Sequence, residues 1–165
     1  MQHVQTRSTT SALVLTAVLI ALATLFTMYT KIPVPGIRGY FNVGDVVIMT
    51  SALLLGRKYG AYIGAIGPAL ADLFLGYAVF VPITFVVKGI EGYLVGTVYN
   101  NKTTTSALVA TIVGGIVIVA GYFIAEYFVF DLGVAIASIL TNAIQAVMSV
   151  IISMILYAIL RKRLG

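Results

Sequence analysis

The chain has 165 residues, 61% of them apolar and only 9% charged, with a mean hydropathy of +1.09; a soluble domain carries roughly a quarter charged residues, so this is a membrane composition. A spanning helix takes about 20 apolar residues, so five or six spans leave only short loops, which excludes an appended catalytic or nucleotide-binding module and predicts one transmembrane domain over residues 1–165. Absence of cysteine removes disulfides, thiolate catalysis and cysteine metal sites.

The first span is predicted over residues 11–30. Ala21-Leu22-Ala23 loosely resembles a cleavage signal, but the apolar run continues through Phe26 and Tyr29, so it is read as a retained span. Lys31-Ile32-Pro33-Val34-Pro35-Gly36 ends it, because two prolines and a glycine stop a helix. The next apolar run, 43–55, is short for a full crossing and reads as a short or tilted helix. A third helix is predicted over 61–76, a fourth from 81 or 82 to 99, and a fifth over 106–125, with a polar loop at 100–105. After Glu126 the chain is largely apolar to Leu160, too long for one helix crossing about 30 Å of hydrocarbon, so residues 126–140 are predicted as a partly helical outer loop and 142–160 as the sixth span.

Six spans put both termini on one side, together with Arg7, Arg57, Lys58, Lys102, Arg161, Lys162 and Arg163, against Lys31 and Arg38 on the other. The positive-inside rule then predicts N-in, C-in. The net charge of +5 is thereby explained as a topology signal, and no nucleic acid partner is needed.

Glycines lie inside the spans: Gly60, Gly64 and Gly67 on the third helix, Gly89, Gly92 and Gly96 on the fourth. Small residues three or four apart let backbones approach closely. Ala17 and Ala21 form a similar pair on the first helix, able to pack internally or to dock another membrane subunit.

Ionisable residues in a span are costly and usually face an interior or a cavity. Lys88 and Glu91 share a face of the fourth helix with Thr84, Gly92 and Gly96, as an ion pair, a ligand contact or both. Counted from the outer end, Lys88 lies roughly 10 Å and Glu91 roughly 15 Å deep, Asn142 and Gln145 within about 6 Å of the start of the sixth helix, and Tyr122 and Glu126 at the end of the fifth. Tyr40, Phe41 and Asn42, with Tyr77 and Phe80, supply groups from the flanking loops that either stack on a flat ligand or form an interfacial belt. Asp45 is explained by helix capping together with Asn42, Asp72 by pairing with Arg38 or Lys88, and His3 carries no expected role. No phosphate loop, Gly-x-Gly fingerprint, His-Glu-x-x-His or serine elbow occurs, so neither ATP hydrolysis, metal binding nor other catalysis is expected.

Several blocks occur together in order: Lys31 to Pro35 followed by Tyr40-Phe41-Asn42-Val43-Gly44-Asp45; Leu55-Gly56-Arg57-Lys58-Tyr59-Gly60; Gly64-Ala65-Ile66-Gly67-Pro68-Ala69-Leu70-Ala71-Asp72-Leu73; Pro82 through Lys88-Gly89-Ile90-Glu91-Gly92; Gly121-Tyr122 to Glu126; and Asn142-Ala143-Ile144-Gln145. The pattern resembles the substrate-binding S subunits of energy-coupling factor (ECF) vitamin transporters, nearest the branch of riboflavin, pyridoxine and hydroxymethylpyrimidine subunits. The resemblance implies a six-helix bundle in a prokaryotic cell membrane that captures a vitamin from outside, associates with a membrane scaffold subunit and two cytoplasmic ATPases, and tips to release its ligand inward. ATP is then used only by the partners, and no covalent cofactor is implied. It also implies scaffold docking through Ala17 and Ala21, and a ligand site from the outer halves of helices four to six and the loop after helix one. The candidate contacts are Lys88, Glu91, Tyr122, Glu126, Asn142 and Gln145, with Tyr40, Phe41, Asn42 and Tyr77 above them. A proline often found before the sixth-helix Asn is replaced here by Leu140-Thr141. Tryptophan is absent, which favours a small pyridine or pyrimidine over a flavin. The rival expectation is a structural or channel-like membrane protein with an architectural Lys88–Glu91 pair.

Overall fold

The computed structural model describes residues 9–33, 39–99 and 103–164. Among them are six helices: α1 Thr9–Tyr29, α2 Asp45–Leu55, α3 Arg57–Phe74, α4 Phe80–Val98, α5 Thr104–Val129 and α6 Leu132–Leu164. Between α1 and α2 lie two short strands, β1 Ile32–Pro33 and β2 Tyr40–Phe41, paired antiparallel with Ile32 opposite Phe41 and Pro33 opposite Tyr40. α1, α4, α5 and α6 are long and apolar enough to cross a bilayer, whereas α2 has 11 residues. His3, Arg7, Arg38 and Lys102 lie outside the described residues.

Short connections make successive helices run in opposite directions. The bundle therefore has a hairpin end, carrying β1 and β2, and a basic end, carrying Arg57, Lys58, Arg161 and Lys162. α2 passes into α3 through Gly56 alone, whose φ of 90° is a conformation that side chains rarely adopt. Large apolar side chains such as Leu13, Val18, Phe85, Ile116 and Ile155 point outward, as expected where the solvent is lipid.

The glycines of α3 and α4 meet each other. A Cβ on Gly92 would run into the backbone of Gly60 and Ala61, one on Gly64 into the Lys88 carbonyl, and one on Gly89 would sit 3.2 Å from the Ala65 methyl. This contact fixes the rotation of α4 and hence the direction in which Lys88 points. Gly92→Val is expected to lower stability by about 1–3 kcal/mol through overpacking, read as a fall in melting temperature in detergent; an unchanged melt would mean that the helices can separate freely.

Two expectations require correction. Residues 126–140 are not an outer loop: α5 continues to Val129 and α6 begins at Leu132. The Asp131 side chain accepts a hydrogen bond from the Val134 N–H at 2.9 Å, so the aspartate caps a new helix where composition indicated only a long apolar run. α6 consequently has 33 residues, roughly 50 Å, and exceeds the hydrocarbon thickness. Asn142 and Gln145 are thus about 15 and 20 Å from its start, deeper along it than predicted. Second, Asn42 does not cap α2. Its Oδ1 accepts from the Gly44 N–H at 2.9 Å, while Asp45, the first helical residue, turns its carboxylate into the bundle.

Candidate functional site

Asp45, Lys88 and Glu91 are buried at 0%, 1% and 0% exposure, so each must find its partners inside the bundle. The Lys88 ammonium contacts Asp45 Oδ1 directly, and Glu91 Oε2 lies 3.9 Å away on the same helix. The ion pair therefore joins α2 to α4, and Glu91 is its more distant neighbour. Neither Glu91 oxygen has a hydrogen-bond partner among the described residues. The other oxygen of Asp45 accepts from Gln145 Nε2 at 2.8 Å, which ties α6 into the same group.

Gln145 also reaches the hairpin side. Its Oε1 accepts from the Asn42 backbone N–H at 3.0 Å and from Asn42 Nδ2 at 3.4 Å. Thr30 Oγ1 accepts from the Val43 N–H at 3.0 Å. The segment after β2 is thus latched to α6 by buried polar contacts and to Thr30, just past α1, by a part-buried one. Tyr40 donates its hydroxyl to Asp72 Oδ1 at 2.6 Å. Burial, then the neighbouring Asp72 carboxylate, push the Tyr40 phenol well above its usual range, so it remains a donor. Its ring packs on Tyr77 at 4.9 Å, Lys31 lies over the Tyr77 ring at 5.1 Å, and Tyr77, Phe80 and Phe130 continue the aromatic layer.

Beneath this layer is a cavity of about 40 Å³, room for roughly three waters. Asp72 and Glu126 bring carboxyls to its wall, Lys88 an ammonium, and Asn42, Asn142 and Gln145 amides. Thr27, Thr84, Tyr40, Tyr122 and Ser138 bring hydroxyls, and Phe80, Tyr40 and Tyr122 supply rings. Glu126 accepts from the Ser138 hydroxyl, and Thr84 and Tyr122 share a hydrogen bond of 2.9 Å. Thr27 Oγ1 and Asp72 Oδ2 lie buried on this wall without a hydrogen-bond partner among the described residues, where buried polar atoms are normally paired. A larger hollow of about 590 Å³ between α5 and α6 is walled by apolar side chains such as Ile116, Phe123 and Val147, and has nothing to orient a polar molecule.

The family model described as "ECF-type riboflavin transporter, S component" matches residues 7–162. The chain belongs to the S components of ECF transporters. It is 30% identical over 149 residues to "Thiamine precursor transporter HmpT" of Lactococcus lactis, spanning 89% of this chain and 83% of the relative. It is 41% identical over 145 residues to an uncharacterized protein of Pyrococcus woesei, 86% of this chain and 96% of that one. The fold is similar to that reported in "Structure and mechanism of the S component of a bacterial ECF transporter", with TM-score 0.78 at 20% identity over 94% and 98% of the two chains. It is also similar to the S-component for biotin, with TM-score 0.57 at 20% identity over 91% and 94%. The protein is therefore a multi-pass membrane binding subunit of a vitamin transporter and not an enzyme.

Of the residues that the sequence of this S component nominates, Lys88, Tyr122, Glu126, Asn142, Gln145, Tyr40 and Asn42 line the cavity. Phe41 and Tyr77 do not; Tyr77 backs Tyr40 from outside, and Phe41 pairs with Ile32 in the hairpin. Glu91 stands behind Lys88, near Gly114 and Met49. Asp72, expected to pair with Arg38 or Lys88, is held by Tyr40. Asp45 is the residue that sequence reading misassigned, because a carboxylate in a first helical turn already has a sufficient local explanation. Thr27 and Ser138 carried no signal, since a hydroxyl in a membrane helix can be satisfied by its own backbone. Ala17 and Ala21 lie exposed on the outer face of α1.

Proposed function

We propose that this S component captures a small aromatic heterocycle, a hydroxymethylpyrimidine-type thiamine precursor or a pyridine vitamin, from the outer face of the membrane. The observation that carries the reading is the composition of the cavity under the hairpin. Carboxyls and amides converge with stacking rings in a space that is small while the latch is closed. An amino- or hydroxymethyl-substituted ring offers donors for Asp72 and Glu126 and ring nitrogens for Lys88, Asn142 or a hydroxyl. The curated relative named for a thiamine precursor supports this choice. Riboflavin, in the description of the matching family, is the second reading; its three fused rings would require a much larger displacement of the cavity wall.

Capture is binding without chemistry. Ligand entry displaces the segment around Tyr40 to Asn42, and its return restores the Gln145 and Asp72 contacts over the ring. The cation-rich basic end faces the cytoplasm by the positive-inside rule, the hairpin faces outward, and the exposed Ala17 and Ala21 stripe seats the membrane scaffold whose two ATPases supply the energy.

Mass spectrometry of the ligand that co-purifies, followed by thermal melts with hydroxymethylpyrimidine, pyridoxine and riboflavin, tests this reading, since a ligand that binds only the folded form raises the melting temperature with its concentration. Asn142, which makes no side-chain hydrogen bond among the described residues, gives the matching variant: Asn142→Ala should weaken binding about tenfold with an unchanged ligand-free melt. A preparation carrying flavin, or one stabilised by none of the three compounds, would overturn the choice of ligand.

A further inference from the structure

The charges of this protein are segregated along the bundle axis. Its acids are Asp45, Asp72, Glu91, Glu126 and Asp131; the first four lie in or beside the cavity, and Asp131 caps α6 at the hairpin end. At the basic end, the described residues include Arg57, Lys58, Arg161 and Lys162 and no acid to balance them. Arg57 lies 5.8 Å over the Tyr93 ring of α4.

Arg161 and Lys162 are placed differently. With Thr104, Tyr157 and Ala158 they line a pocket of about 340 Å³ between the first turn of α5 and the last turns of α6. The Arg161 guanidinium lies 5.8 Å over the Tyr157 ring, and Tyr157 is 2% exposed, held by a hydroxyl contact and an edge-to-face ring contact with Tyr99. Arg161 and Lys162 are exposed, so their charges can meet an anion from outside, and the anchored Tyr157 ring gives the Arg161 guanidinium a surface to rest on.

We propose that this pocket seats the phosphate of an anionic membrane lipid. A phosphodiester would take paired hydrogen bonds from the Arg161 fork, a charge contact from Lys162 and a hydroxyl from Thr104, and would supply the negative charge that this end lacks. Lipid is favoured over soluble phosphate by what continues from the pocket. The apolar hollow of about 590 Å³ lies along the same α5–α6 seam, and Val147, Ile151 and Ala158 recur on α6 at spacings of four and seven that put them on one face. A headgroup at Arg161 would thus have an acyl channel beneath it.

The test uses the full-length S component in detergent, with phosphatidylglycerol, phosphatidylcholine or inorganic phosphate as the probe, read by native mass spectrometry and thermal melting. Phosphatidylglycerol should be retained and should raise the melting temperature, and Arg161→Gln/Lys162→Gln should weaken its retention about tenfold. Arg57→Gln/Lys58→Gln removes the same charge at the same end and should leave retention intact. Should the first pair fail to fold, Ala158→Trp fills the pocket with both cations in place, and retention should fall again. Equal retention of the two lipids, equal loss in the two double variants, full retention in Ala158→Trp, or an equal melting shift with inorganic phosphate alone would each overturn the lipid site.

Discussion

Replacing Lys88 with methionine should destabilise the bundle by about 3–5 kcal/mol, the usual consequence of removing one member of a buried ion pair. Asp45 would be left at 0% exposure with one oxygen facing the methionine and only Gln145 on the other. Pairing the change with Asp45→Asn should recover most of the loss, because an amide in that position no longer carries a charge and still hydrogen-bonds to Gln145. Thermal melting of the parent, the single and the double variant in one detergent checks this. A double variant no more stable than the single would show that Glu91, 3.9 Å from the ammonium, is the partner that matters. Ligand titration of the double variant then separates two roles of Lys88: binding that survives with the fold makes the lysine architectural, and binding that is lost while the fold is kept makes it a contact.

Gln145→Leu should weaken ligand binding about 10- to 100-fold and also lower the ligand-free melting temperature, because the Asp45 carboxylate and the Asn42 N–H each lose a buried partner. Leucine fills most of the same volume, so little packing is lost, but the hydrogen bonds to the Asn42 segment and to Asp45 disappear. Buried bonds of this kind, one of them to a carboxylate, contribute about 1.5–3 kcal/mol together. The change should appear mainly as faster ligand release, since the latch holds the closed state. Calorimetry for affinity and stopped-flow dissociation for the rate would show it. An unchanged dissociation rate would mean that the segment after β2 does not gate the cavity.

Residues that no apolar helix tolerates without reason were legible early. Lys88, Gln145, Asn142 and Glu126 interrupt long apolar runs, which marked them as inward-facing, and the family resemblance then placed them among the candidate contacts. Glycine spacing on α3 and α4 likewise announced a close contact before its partner was known. What was hidden was pairing at a distance. Lys88 meets Asp45 across 43 positions and Gln145 meets Asp45 across 100, and helical periodicity assigns a face to each residue without naming the opposite face. The break between α5 and α6 was hidden for another reason. A single capping bond at Asp131 starts α6, and composition over a window of 20 residues averages such a signal away.

Sequence by itself determined that this protein lives in a bilayer, which end carries its positive charge, and which side chains are too polar to face lipid, because those facts follow from the cost of transferring each residue into hydrocarbon. Tertiary structure decided what those side chains do. The close α3–α4 contact turns Lys88 inward, the short α2 brings Asp45 beneath the hairpin, and the long α6 carries Gln145 to both. The physical reason is that transfer cost is a property of one residue, whereas a buried charge, a latch or a cavity is a property of several residues brought into contact.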